Sequence, residues 1–191
     1  NTVKALVLGI HIFSEFQDQK DLPISIDVLW KHSMLVSNLA FKIAKSLQMS
    51  TLVQENARVS GLLHDIGKLA LMSMPDITTR VPVLRKGEIS VEMEYSVLKT
   101  SHAEIGGYLL GMWGLPSPIV DVVTFHHKPN SKSGDNPDLL SVLYIANGLA
   151  NMVHNEMETN YPKYLDMAYL ERIGLVNQLD EWAEITDRIY T

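Results

Sequence analysis

The stretch SGLLHDIGKLALM, Ser60–Met72, decides how the rest of the chain is read. Its apolar residues recur at helical spacing, yet His64 and Asp65 stand at its centre. Burying two such groups costs free energy unless something satisfies them. The pattern reaches back to Thr51, so the spacing predicts one helix from Thr51 to the neighbourhood of Pro75, which cannot continue it. Thr51 and Gln54 form a capping-box pattern at its start. On such a helix His64 and Asp65 point about 100° apart, so they share one ion only if it sits against the flank between them. Gly61 and Gly67 flank the pair. A helical glycine costs about 1 kcal/mol against alanine. Close approach of another helix is one reason to accept that cost, and chance is another.

The helical period extends outward in both directions. The first segment places Val3, Leu6, Val7, Ile10 and Phe13 on one face. A second helix is expected from Ile26 to about Leu47, with Leu29, Val36, Leu39, Ile43 and Leu47 as its stripe and His32 on that stripe. Residues 76–90 read as a loop. A broken helical region covers Val91–Trp113, and a Ser101/Glu104 capping pattern starts a new helix beside His102. Ser117 and Pro118 open a short helix that ends in FHHKP. After the polar loop NSKSGDNP, a long helix from about Asp138 to Val153 sets Leu140, Leu143, Asn147 and Ala150 on a common face. METNYPKY reads as a linker, and Leu165–Tyr190 as two helical stretches separated by Gly174. Strand signals are weak, so the expected class is all-α.

Composition narrows the function classes. The 191 residues, 46% hydrophobic and 20% charged, suit one globular domain with a small appendage. The net charge is -6 and the basic residues are scattered. No nucleic-acid polymer is therefore expected as a partner, because that needs a basic footprint. No apolar run approaches the roughly 18 residues of a membrane span, so no membrane partner is expected and a cytoplasmic setting is the default. Cysteine is absent, which excludes disulfides and thiolate metal sites. The chain opens without Met inside a helical pattern and reads as a piece of a longer protein, with an N-terminal part missing.

Five histidines, His32, His64, His102, His126 and His127, fall on or at the ends of helices with apolar faces, and Asp65 and Asn147 join them. Imidazole and carboxylate without thiol are the ligand types for zinc, iron or manganese. Other polar and large residues have plainer readings. Trp30 and Trp113 are expected in the core in preference to a partner-facing surface, and Met34, Met72, Met93 and Met112 as gap fillers. Glu88, Glu92 and Glu94 are expected in solvent, although the loop before His102 could border the site. Glu104 reads as a capping residue, and His11 and His154 as surface or helix-end residues.

The order of these motifs is distinctive. LWKHS around His32, then GLLHDIGKL, SHAEIGGYLLGMWGLP, FHHKP and YIANGLA resemble the HD superfamily of metal-dependent phosphohydrolases. The match is closest to its HDOD branch, the HD-related output domain of bacterial signalling proteins. The resemblance implies an HD-like helical bundle over residues 1–156, with a short helical C-terminal extension, 157–191, packed on it.

In the related binuclear HD-GYP phosphodiesterases, two metals share the aspartate of the HD pair. Carried over, one ion would be held by His32, His64, Asp65 and Asn147, and the second by Asp65, His102, His126 and His127. The resemblance implies one or two divalent transition metals, iron, manganese, zinc or nickel. It gives Asp65 and Lys68 the catalytic roles, with Lys68 facing a substrate phosphate. Two ions roughly 3.5–4 Å apart could activate a bridging water. The chain departs from that pattern twice. Asn147 stands where the family has an aspartate, and KPNSKSGDNP stands where HD-GYP enzymes carry their GYP turn.

The expected function is therefore a signalling domain with a His/Asp metal site whose turnover is weak or absent. The alternatives are an active phosphohydrolase acting on a nucleotide or phosphodiester, and a metal-free interaction module. Expected partners are a phosphorylated small molecule or nucleotide and a signalling protein.

Overall fold

The computed structural model describes residues 2–16, 25–74, 91–132, 134–154 and 160–190. Among these residues there are helices and turns and no strands, so the chain is all-α. The helices are α1 (Thr2–Phe16), α2 (Ile26–Ser46), α3 (Thr51–Leu63), α4 (Ile66–Met72), α5 (Val91–Leu98), α6 (His102–Met112) and α7 (Ser117–Phe125). After them come α8 (Leu139–His154), α9 (Tyr161–Tyr164), α10 (Met167–Arg172) and α11 (Leu179–Tyr190). No helix among the described residues is long and apolar enough to cross a membrane.

Helix α2 is the spine. It packs against α3, α8 and α11. Its stripe behaves as the period requires, and Val36, Leu39 and Ile43 are wholly buried. Each such side chain contributes roughly 1.5–3 kcal/mol through burial. The C-terminal half of α2 joins α8 and the tail residues Leu165, Tyr169, Leu170, Ile173, Leu175, Leu179 and Trp182 in one apolar cluster. Its N-terminal end, Ile26 and Leu29, joins Phe13 and apolar residues of α3, α4, α6 and α7 in a second. His32 sits between these two clusters. Trp182 is buried, and its indole N–H donates to Ser46 Oγ at 3.0 Å. The boundary expected at residues 156–157 and the loop expected over 76–90 lie outside the described residues.

Four expectations are corrected. The helix from Thr51 is interrupted. It ends at Leu63, and α4 begins at Ile66. Its N-cap is Ser50, one residue earlier than expected, whose hydroxyl accepts from the Val53 amide. Gln54 donates to the Met49 carbonyl instead of closing a box with Thr51. In α1 the buried face is offset from the expected stripe. Val3, Val7 and Ile10 are exposed, while Phe13 is buried against Trp30. Gly9 lets α1 lie on α3, because a Cβ there would come within 3.1 Å of Leu62 and Leu63.

Trp113, Met34, Met93 and Met112 are exposed, and Met72 alone of the four methionines is buried. The C-terminal end of α6 projects beyond the core, which strands Met112 and Trp113 at the surface. Glu94 is the fourth correction. It is wholly buried, and its reason belongs to the site below.

Candidate metal centre

Asp65 lies at the middle of the cluster because α3 and α4 are separate helices. The backbone turns through His64 (φ -58, ψ -35) and Asp65 (φ -98, ψ 9) before α4 starts. Asp65 is the N-cap residue of α4, yet its side chain makes no capping bond. The carboxylate is therefore free to face the other ligands. The two glycines flanking the pair are both close-approach positions. A Cβ on Gly61 would sit 2.6 Å from the Ser37 Cα, and one on Gly67 only 1.9 Å from the His102 carbonyl oxygen. Gly61 thus lets α3 meet α2, and Gly67 lets α4 meet the start of α6.

Five elements converge on Asp65. Helix α2 supplies His32, the α3–α4 break supplies His64, and α6 opens on His102. The end of α7 supplies His126 and His127, and α8 supplies Asn147. His32, His64, Asp65, His102, His126 and Asn147 are all buried, and His127 is at the exposed edge. The two oxygens of Asp65 face different neighbours. Oδ1 lies 3.2 Å from His102 Nε2 and 3.9 Å from His126 Nε2. Oδ2 lies 3.3 Å from His64 Nε2, 3.9 Å from His32 Nε2 and 2.6 Å from Lys68 Nζ. His127 Nε2 is 3.0 Å from His102 Nε2. Potential ligand atoms of Asp65, His102, His126 and His127 lie within 4.8 Å of one another, and so do those of His32, His64 and Asp65.

A second layer orients these rings. His64 Nδ1 donates to the Gly61 carbonyl at 2.8 Å, and His126 Nδ1 to the Val123 carbonyl at 2.7 Å. In the neutral ring each Nε2 is then a bare lone pair. His102 Nδ1 meets both Glu94 carboxylate oxygens at 2.8 Å, and its backbone N–H donates to Glu94 Oε2 at 2.7 Å. Glu94 is thus a carboxylate behind a histidine, an arrangement that fixes the ring and raises its basicity toward a metal. The sequence reading missed it. Its one signal was an acid eight residues ahead of His102 on a separate helix.

Electrostatics follow from this packing. Burial pushes the Asp65 carboxyl up, but the neighbouring His64, the Lys68 ammonium and His102 outweigh it and hold it well below the usual carboxylate range. Burial pushes His102 down, and its bonds to Asp65 and Glu94 more than reverse that. Burial and the neighbouring histidines push His126 well below its ordinary value, so it stays neutral.

At the exposed edge, Tyr95 donates to Glu104, Thr100 donates to Glu104 Oε2 at 3.0 Å, and Lys128 Nζ donates to the Tyr95 oxygen at 2.7 Å. The Glu104 backbone N–H is capped by Ser101 as expected, while its side chain serves this network. The network ties the segment after His127 to α5 and α6.

The donor set fits a divalent cation. His64 Nε2 and His126 Nε2 are buried and have no hydrogen-bond partner. Each faces a carboxylate oxygen, so acceptors confront acceptors. A buried polar atom left this way costs about 1–3 kcal/mol, and a cation between them removes that cost. Imidazole with carboxylate suits zinc, iron or manganese.

Comparison with known proteins gives a consistent family. The profile of the HDOD domain matches residues 1–129. A ribonuclease Y of Thermus thermophilus is 31% identical over 148 residues, which cover 76% of this chain and 20% of the relative. A cyclic di-GMP phosphodiesterase of Pseudomonas aeruginosa is 29% identical over 107 residues, covering 56% of this chain and 24% of the relative. The chain thus spans about a quarter or less of the length of these relatives. A crystal structure of a candidate phosphohydrolase from Shewanella amazonensis superposes with a TM-score of 0.71 at 22% identity, covering 98% of this chain and 68% of that one. That likeness bears on the fold alone.

Proposed function

The chain belongs to the HDOD domain family, and from that premise we propose that it is a metal-binding signalling module with little or no turnover. The observation that carries this reading is the pair of bare, buried Nε2 atoms of His64 and His126 set against the Asp65 carboxylate. The ligands are His32, His64, Asp65, His102, His126, His127 and Asn147. A bound ion would supply Lewis acidity and lower the pKa of a coordinated water. The chain's own groups hold the rings in place. Glu94 keeps the proton of His102 at Nδ1, the Gly61 and Val123 carbonyls do so for His64 and His126, and Lys68 neutralises Asp65.

Weak turnover is supported by access and by charge. The ligands from His32 to His126 are buried, so among the described residues a substrate would meet the site along the edge formed by His127 and Lys68. Asn147 is a neutral amide and a poorer ligand than a carboxylate. The signalling role would be to present one metal-dependent shape to a partner protein.

A second reading, a phosphohydrolase acting on a nucleotide or phosphodiester, is favoured by Lys68. Its ammonium is partly exposed at that edge, where a phosphate would arrive. Two relatives also carry the names of a ribonuclease and a phosphodiesterase.

The test is direct. Protein purified without chelators should carry about one equivalent of transition metal, as a folded His/Asp site of this kind does. Metal content far below one equivalent would overturn the proposal. Hydrolysis of bis-p-nitrophenyl phosphate with added manganese should stay near background. Turnover that disappears in His127→Ala would favour the second reading.

A further inference from the structure

Helix α5 is attached to the rest of the molecule differently from its neighbours. Among the described residues it is the one helix that contributes to neither apolar cluster. Its single buried side chain is Glu94, which is wholly enclosed, while Met93 and Val97 are exposed. Its eight residues are too few for a helix that holds itself together in water, and most helices gain their order by packing an apolar face. Helix α5 draws its order from polar contacts instead.

Those contacts lead to the ligands. Glu94 grips the first residue of α6 twice, accepting from the His102 backbone N–H at 2.7 Å and from its ring Nδ1 at 2.8 Å. The next residue, Tyr95, donates to Glu104 and accepts from Lys128 Nζ at 2.7 Å, with that ammonium 4.3 Å from the centre of the Tyr95 ring. Lys128 follows His127 directly in the chain. Two adjacent residues of α5 thus reach two ligand-bearing segments. The Tyr95 link lies at the exposed edge. The Glu94 link is buried, where a hydrogen bond is stronger, and it ends on a ligand ring.

His102 carries one nitrogen on each side of this connection. Nδ1 faces Glu94, while Nε2 faces Asp65 Oδ1 at 3.2 Å and His127 Nε2 at 3.0 Å. A cation at Nε2 draws charge from the ring, which makes the Nδ1–H a stronger donor to a carboxylate. A carboxylate behind a ligating histidine raises metal affinity by roughly 10- to 100-fold. Coupling between two binding events is reciprocal, so an ion at Nε2 tightens the hold of Glu94 on His102 by the same factor.

We infer that α5 is the element through which the centre reports its ion at the surface: coordination of His102 locks α5 down through Glu94, and loss of the ion lets it open. The inference rests on the metal-binding reading above and deepens it, since it names the part of the shape that depends on metal. One ion at His102 suffices, whatever the number the centre holds. Helix α11 is the contrast. It carries none of the proposed ligands and is anchored by Leu179 and Trp182 in an apolar cluster, so its local opening is independent of the ion.

The experiment uses the 191-residue chain and manganese chloride as the probe, in mildly alkaline buffer that favours the unprotonated rings a metal needs. Hydrogen exchange is read by mass spectrometry on peptides covering α5 and α11, at times too short for global unfolding, so that it follows the local opening of each helix. Saturating manganese should slow exchange in α5 by roughly 10- to 100-fold and leave α11 unchanged. Glu94→Gln, checked for folding by circular dichroism, should still bind manganese at saturation but lose most of that slowing. Tyr95→Phe, which touches no ligand, should speed exchange in α5 with and without manganese and keep the slowing between the two. Equal exchange in α5 with and without bound manganese overturns the inference, as does a slowing that spreads equally to α11. Slowing that persists in full in Glu94→Gln overturns the role given to that carboxylate, and α5 exchange unchanged in Tyr95→Phe overturns the second link. Should Glu94→Gln misfold, the wild-type comparison of α5 with α11 still decides. No manganese bound to wild type after desalting overturns the metal-binding reading itself, a result distinct from manganese bound with α5 unmoved.

Discussion

Around Oδ1 of Asp65 stand imidazoles whose outer nitrogens are held by a glutamate and a carbonyl. Around Oδ2 stand an ammonium, an imidazole paired with an amide, and one bare imidazole. Both halves carry the residue types of a metal site. They differ in the charge beside Asp65, since a lysine stands on the Oδ2 side. In the first half, the second layer exposes lone pairs. In both halves some potential ligands also meet one another, His127 at His102 and His32 at Asn147. Ligand identity alone therefore misjudges a site, and the hydrogen bonds behind and between the ligands decide its capacity.

This comparison can be broken most decisively at Asp65, the one residue both halves share. Asp65→Asn keeps the shape but removes the only carboxylate common to both ligand groups, so metal content should fall from about one equivalent to background. Retained metal would show that the two halves do not meet at this carboxylate.

Next in size is Gly67→Ala. A Cβ there collides with the His102 carbonyl, so α4 or α6 must shift. We expect a loss of about 1–3 kcal/mol, the range for overpacking, and a weakened Oδ1 half. A thermal melt read alongside manganese affinity checks both, and a melt like that of wild type would refute the packing argument.

Glu94→Gln isolates the layer behind His102. The amide oxygen can still accept the Nδ1 proton, so the fold should survive while manganese affinity falls roughly 10-fold or more. Calorimetry of the folded variant measures it.

Acidity should act on the same half. His102 holds its proton more firmly than an ordinary histidine. Below its raised pKa, each ion bound must expel that proton, and affinity should fall by about tenfold per pH unit. Above that value the dependence should flatten. Titrations across the neutral range would show this, and a flat profile throughout would place the proton elsewhere.

The smallest effect is expected at His32→Ala. Its partner Asn147 loses a hydrogen bond, which costs about 1 kcal/mol of stability. The remaining ligands should still hold manganese, at lower affinity. A lost ion would mean that the Oδ2 half is the occupied one.

Much of this was legible in the sequence, for physical reasons that differ by region. The stripe of α2 buries on one face, so its period states the packing directly, whereas α8 is buried on nearly every side. The capping pattern at Ser101 marks the start of α6, and Pro118 the start of α7. The break at His64–Asp65 was not legible, because Gly61–Met72 keeps a helical apolar spacing on both sides of a turn that tertiary contacts impose. Glu94 was hidden for a related reason. An acid next to exposed neighbours reads as solvated until the partner that buries it is known. The offset face of α1 was invisible because Gly9 carries no hydrophobic signal, yet it is the residue over which that helix packs. The five histidines, Asp65 and Asn147 were recognisable as a group. Whether they coordinate or bond to one another depends on distances that residue spacing does not encode.

The His32–Asn147 bond joins residues 115 positions apart. The Oδ1 group, by contrast, is drawn entirely from residues 65–127. Closing a longer loop costs entropy, though only slowly with length, and contacts at such separations slow folding. The two halves therefore differ in how much chain each must bring together. The Oδ1 group can assemble once α3 to α7 have collapsed. The Oδ2 wall closes only when α8 docks against α2, which makes that single hydrogen bond a local reporter of that docking.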